Sequence, residues 1–175
     1  GCVALGFALL LGVAAGLAAS LRPRSWLDYL AMGTAVVGIS LPVFVIGPLL
    51  QMFLARRFGF LPSYGVGDAR HLLLPGLALG LPFAARFARL SRAGMLEILS
   101  EDFIRAARAR GVREFRVVVR HALRGGLLPV ISYLGPAIAS LTTGSLVVEK
   151  IFAVPGLGRE FIESALNRDY TMILG

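Results

Sequence analysis

Few residues in this chain have the types and spacing that covalent or metal chemistry requires. Cys2 is the sole cysteine, so the chain offers no internal disulfide and no thiolate cluster. His71 and His121 stand far apart, without the close spacing of metal-ligand pairs. No G-x-x-x-x-G-K-[ST] phosphate loop is present, and the single lysine, Lys150, follows Glu149 rather than a glycine. If ATP drives this protein, another polypeptide must bind and hydrolyse it. What remains is arginine: ten of the 18 basic residues lie between Arg86 and Arg124. Guanidinium groups in such density make contacts with anions, either acidic protein groups or lipid headgroups. Nucleic acid fits poorly, since the arginines alternate with apolar helix faces and no platform of aromatics accompanies them.

The elements that must carry these arginines follow from composition. The 175 residues are 57% hydrophobic and only 16% charged, with a net charge of +8. Mean hydropathy is +0.77. Soluble domains carry about 25% charge, and a chain this short cannot hide so much apolar side chain in one core. Lipid is the solvent that fits, and a soluble enzyme is excluded. Four stretches without Asp, Glu, Lys or Arg approach the ~20 residues of a membrane span: 3–21, 30–55, 71–85 (with an extension toward Leu90) and 127–148. The predicted fold is therefore all-α, a polytopic transmembrane helical bundle. Gly1 leads straight into an apolar run without a basic leader, and the chain is expected to be a piece of a longer protein.

Within the spans, Gly12 and Gly16, and again Gly76 and Gly80, have the small-xxx-small spacing that lets helices approach closely. Pro42 and Pro48 should kink or break the second span. Trp26 and Tyr29 are candidate interfacial anchors beside the polar hinge of Arg22, Arg24 and Asp28. The segments 56–70 and 149–170 read as loops. Basic residues number twelve in segments 21–29 and 86–124 against six in 56–71 and 149–170, which puts the first pair of segments in the cytoplasm. None of the four spans contains Asp, Glu, Lys or Arg, which argues against coupling to a proton or sodium gradient through a carboxylate and against intramembrane hydrolysis.

The arginine-rich segment divides into two helices. From Ser100 to Gly111 the chain reads as a short helix, with Ser100 as cap and Glu101 and Asp102 in the first turn. Arg108 and Arg110 close the last turn, and Gly111 supplies a left-handed stop. Phe103, Ala106, Ala107 and Arg110 share one face, where two alanines form a shallow surface for another protein. In the next helix Phe115, Val118, Val119 and Ala122 form an apolar stripe. Arg113, Arg116, Arg120 and Arg124 form a basic one, the pattern of a helix lying along the membrane interface.

The stretch 102–129, DFIRAARARGVREFRVVVRHALRGGLLP, resembles the cytoplasmic signature loop of binding-protein-dependent ABC importer permeases. Ser25-Trp26-Leu27-Asp28, Ser40-Leu41-Pro42-Val43-Phe44, Leu61-Pro62-Ser63-Tyr64-Gly65, Arg89-Leu90-Ser91-Arg92, the run 151–158 (IFAVPGLG) and Arg168-Asp169-Tyr170 agree in order. Together they are similar to the dipeptide/oligopeptide/nickel family in its B-type subunit, over essentially the whole chain. Ala106, Ala107 and Gly111 match the general importer motif; Arg105 replaces its glutamate. His121 and Arg124 replace the Ile and Pro of its ending, as in the B-type pattern, and Thr171 stands where the family carries proline.

The resemblance implies a type I ABC importer permease fold, with about four spans present of six, in one permease domain over 1–175 truncated at both ends. It implies an inner-membrane subunit that moves di- or oligopeptides, nickel or another small solute, and no catalysis, cofactor or metal of its own. A non-transporting membrane scaffold is the alternative from another class. Asp102, Phe103, Arg105, Ala106, Ala107, Arg108, Arg110 and Gly111 would form a coupling helix, inside a cytoplasmic loop 86–126, seated on a cytosolic ATP-binding subunit. A second, C-type permease subunit and an extracytoplasmic solute-binding protein, docking on 56–71 and 149–170, would complete the assembly. Ser40, Pro42 and Phe44 are candidate pathway residues.

Overall fold

The computed structural model describes residues 1–57, 67, 69–143, 146–156 and 166–167. Among these the secondary structure is helical, with no strand, as the apolar runs require when every backbone group must be satisfied without water. The helices are α1 (Cys2–Leu21), α2 (Trp26–Ser40), α3 (Val43–Leu50), α4 (Leu73–Leu99), α5 (Asp102–Ala109), α6 (Glu114–Arg116), α7 (Leu123–Gly126), α8 (Leu128–Thr142) and α9 (Leu146–Phe152). Two π-helical segments, Gln51–Arg57 and Val117–Ala122, continue α3 and α6.

By length and composition, Cys2–Leu21 and Arg70–Leu99 can each cross a membrane alone. Trp26–Ser40 with Val43–Arg57, and Glu114–Gly126 with Leu128–Thr142, bring the total to four if each bent pair is one span. The second span is broken, as its prolines predict: α2 stops at Ser40, and Pro42 stands in extended conformation as the N-cap of α3. Pro48 lies inside α3 without ending it.

Three boundaries differ from the sequence expectation. The third helix does not stop near Leu90 but runs to Leu99, because loss of apolar character ends a membrane span and not a helix. The fourth apolar run is divided, since α8 ends at Thr142 and α9 begins at Leu146. The expected loop 149–170 therefore starts inside a helix. Beyond 156 that loop, Thr171 and the Leu61-Pro62-Ser63-Tyr64-Gly65 turn lie outside the described residues, Leu166 and Asn167 apart.

The chain falls into two compact units. One comprises Gly1–Phe7, Leu41–Leu81 and Ala137–Gly175; the other comprises Ala8–Ser40 and Pro82–Pro136. Helices α1, α4 and α8 contribute residues to both. In the first unit, Ile46, Leu74, Ala78, Val148 and Phe152 form the core, and Gln51 Nε2 donates to the Ile151 carbonyl at 3.1 Å. Gly76 and Gly80 let α4 approach α1: an added Cβ would sit 2.7 Å from Val3 Cγ1 or 2.7 Å from the Ala4 carbonyl oxygen.

In the second unit Gly12 and Gly16 do the same from α1. A Cβ at Gly12 would meet the Ala84 carbonyl, and one at Gly16 would meet Ser91 Oγ. Both small-residue pairs thus serve as their spacing predicts. Ala35, Ala85 and Ala88 form one small core there, and Met95, Ile104, Ala107, Val117 and Ala122 form another.

Candidate functional site

The arginine-rich segment is organised by the second of these cores. Helix α5 inserts Ile104 and Ala107, which are 0% and 2% exposed, against Met95, Val117 and Ala122. Phe103, Ala106 and Arg110, at i, i+3 and i+7, form an exposed stripe that flanks this buried face. Asp102, Arg105 and Arg108 are exposed beside it. Of the expected apolar face, Ala107 is therefore corrected: it belongs to the core that supports α5, not to the surface that α5 offers. Spacing alone does not single out Ala107, because it stands four residues from Phe103 and three from Arg110, the same spacing that defines the exposed stripe.

The ends of α5 are set by backbone chemistry. Ser100 is not its cap. Ser100 Oγ donates back to the Glu97 carbonyl at 2.7 Å, finishing α4, and Glu101 holds the extended N-cap conformation without a side-chain bond. Gly111 has φ +74, as its left-handed stop requires. Its N–H donates to Arg108 O at 2.9 Å while Val112 N–H donates to Ala107 O at 3.2 Å, which together make a Schellman motif.

Arg108 then grips Glu114 with both nitrogens, at 3.1 and 2.7 Å, pinning the end of α5 to the start of α6. The guanidinium beside it holds the Glu114 carboxyl below its ordinary range, and the same bond raises Arg108. Asp102 and Arg105 pair at 3.2 Å in full exposure, an interaction worth little in water.

The second helix divides its apolar residues between the protein core and the exterior. Phe115 is 80% exposed and Val119 is exposed, whereas Val117 and Ala122 are fully buried. Val117 and Ala122 are five residues apart, a spacing that shares a face only where hydrogen bonds run from i to i+5, as they do from Val117 to Ala122. Val118 is partly buried, and Arg113, Arg116, Arg120 and Arg124 are exposed, as predicted.

One constellation escaped the sequence reading. Asp28, 3% exposed, receives Arg92 Nε at 2.5 Å and Arg92 Nη2 at 2.7 Å. It also accepts the Arg24 N–H at 2.9 Å, which holds Arg24 at φ +60. The pair ties the α1–α2 turn to α4. The available signal was a lone acid among hinge arginines, but its partner lies 64 positions away. Trp26 and Tyr29 are exposed, as anchors should be. Among the candidate pathway residues, Ser40 closes α2 with its hydroxyl on Val36 O at 2.8 Å. Pro42 and Phe44 are exposed at the start of α3.

Apolar helices with close glycine packing, broken by proline and joined through an arginine-rich segment with an exposed short helix, define a polytopic helical membrane protein. The chain belongs to the family described as binding-protein-dependent transport system inner membrane component, which matches residues 8–175. It is 44% identical over 99% of its length to the oligopeptide transport system permease protein OppB of Escherichia coli K12, covering 58% of that relative. It is 44% identical over its full length to the dipeptide transport system permease protein DppB of Bacillus subtilis, covering 57% of it. It is 44% identical over 95% of its length to the glutathione transport system permease protein GsiC of Escherichia coli O1:K1, covering 55%. The chain thus spans somewhat more than half the length of these curated relatives.

Proposed function

We propose that this chain is the greater part of a B-type permease subunit of an ATP-driven importer that moves di- or oligopeptides across the inner membrane. In this reading the segment 86–126 faces the cytoplasm and α5 docks in a cleft of a cytosolic ATP-binding subunit. That subunit binds and hydrolyses the nucleotide, and the permease has no catalytic residue or cofactor of its own. A related C-type permease pairs with it, and an extracytoplasmic binding protein delivers solute. Peptide is favoured over nickel because the similar relatives are named for oligopeptide, dipeptide and glutathione transport.

The observation that carries the reading is the exposed stripe of Phe103, Ala106 and Arg110 on a helix whose adjoining face, Ile104 and Ala107, is locked into the protein. A rigid backing is what a force-transmitting helix needs, since closure of the ATP-binding subunits must move the spans rather than bend α5. Arg105 and Arg110 are placed to meet acidic groups, while Ala107, Arg108 and Gly111 fix the shape of α5.

Ala106→Asp in the full-length protein should weaken co-purification with the ATP-binding subunit by at least about tenfold, the effect of roughly 1.4 kcal/mol. Membrane insertion should be unchanged. ATP-dependent uptake of a short peptide into vesicles should fall with it. Unchanged association would defeat the docking assignment, and uptake of nickel but not peptide would defeat the substrate class.

A further inference from the structure

We propose that the groove between α2 and α4 is a binding site for the phosphate of an anionic phospholipid. The groove has a volume of about 590 Å³ and is lined by Met32 and Ile39 of α2, Arg86, Arg89 and Arg92 of α4, and Tyr133 of α8. The three arginines recur every third residue, so their guanidinium groups follow one side of α4. Asp28 neutralises Arg92 alone. Arg86 donates to the Tyr133 hydroxyl at 2.7 Å and lies 5.8 Å from the centre of the Phe83 ring. Neither contact cancels its charge. Arg89 is exposed and makes no ion pair among the described residues. Among the described residues, cations therefore outnumber anions in the groove by two.

Depth selects the ligand. Arg86 is the first charged residue after the uncharged run 73–85 of α4, so it marks the level at which hydrocarbon gives way to headgroups. A phosphodiester at that level can accept charge-assisted hydrogen bonds from Arg86 and Arg89. Its acyl chains would lie along Met32 and Ile39. A free phosphate would use the arginines and leave the apolar wall unfilled, whereas a lipid uses both. Basic pockets between spans at the cytoplasmic side suit anionic headgroups for this reason. The site rests on membrane placement and not on the transported solute.

The test uses the full-length permease complex, delipidated and placed in nanodiscs of phosphatidylcholine with a minor share of phosphatidylglycerol. Native mass spectrometry should show retained phosphatidylglycerol. R86Q/R89Q should lower retention at least about tenfold, the effect of losing one charge-assisted hydrogen bond. R116Q/R120Q removes equal charge outside the groove and away from α5, and should retain the wild-type amount. Photoactivatable phosphatidylglycerol on the unaltered complex should crosslink within 32–39 and 83–93, and excess inorganic phosphate should not displace it. Equal retention in R86Q/R89Q, crosslinks confined elsewhere, displacement by phosphate, or crosslinking of this groove to the partner permease would each overturn the proposal. Peptide uptake in the same particles reports separately on transport.

Discussion

At the scale of single residues, two left-handed positions at helix ends make a matched pair. Gly111 sits at φ +74 with nothing within 4 Å of where a Cβ would stand, so a side chain there would cost only backbone energy. Ala153 ends α9 at φ +52 and is exposed, with Val154 N–H bonded to Glu149 O at 3.0 Å. A left-handed conformation costs an L-residue roughly 1–2 kcal/mol. Gly111→Ala should therefore destabilise by about 1 kcal/mol. Ala153→Gly should stabilise by about 0.5 kcal/mol, because the added freedom of the unfolded chain offsets part of the gain. Thermal unfolding of the detergent-solubilised protein reads both shifts, which should have opposite signs. Asp28 shows the other kind of residue effect. A buried carboxylate with both oxygens on one guanidinium is costly to leave half-made, so the α1–α2 turn and α4 are held in one arrangement.

At the scale of elements, the turn from α5 to α6 is fixed by the Schellman bonds and by Arg108 on Glu114. The folded carboxyl titrates below its ordinary value near 4.5. Its contribution is thus present above that value and is lost as pH falls through the lower, folded one. With Glu114 largely exposed, the contribution is no more than about 1 kcal/mol. A spin label at Val112 should be immobile at neutral pH and loosen as the pH drops below about 4.5. In Glu114→Gln it should be mobile throughout. A label whose mobility is the same in both proteins would show that the turn does not depend on the pair. The π-helical stretch beyond it is a register device: it brings Val117 and Ala122 under α5 while leaving Phe115 outside. Regular helical spacing would put Val117 and Ala122 about 140° apart.

At the scale of the whole molecule, charge asymmetry makes a topological prediction. With twelve basic residues in alternate segments against six in the others, Arg110→Cys in a full-length protein with every native cysteine, Cys2 included, replaced by serine should react with an impermeant maleimide only from the cytoplasmic side. A cysteine at Arg57 should react only from the opposite side. Labelling of both from one side would remove the orientation on which the docking of α5 depends.

Composition and spacing were enough to determine the all-α membrane class, the four apolar runs, the break at Pro42, the glycine faces of α1 and α4, and the helix ending at Gly111. Each of these depends on neighbours within a few positions or on bulk transfer from water to lipid, and such causes are written locally. The tertiary structure alone decided which alanine of α5 is core, which residues of the following helix face inward, and which arginine answers Asp28. Those choices depend on what lies across the gap between helices, and a one-dimensional period of 3.6 residues does not record a π-helical insertion or a partner 64 residues away.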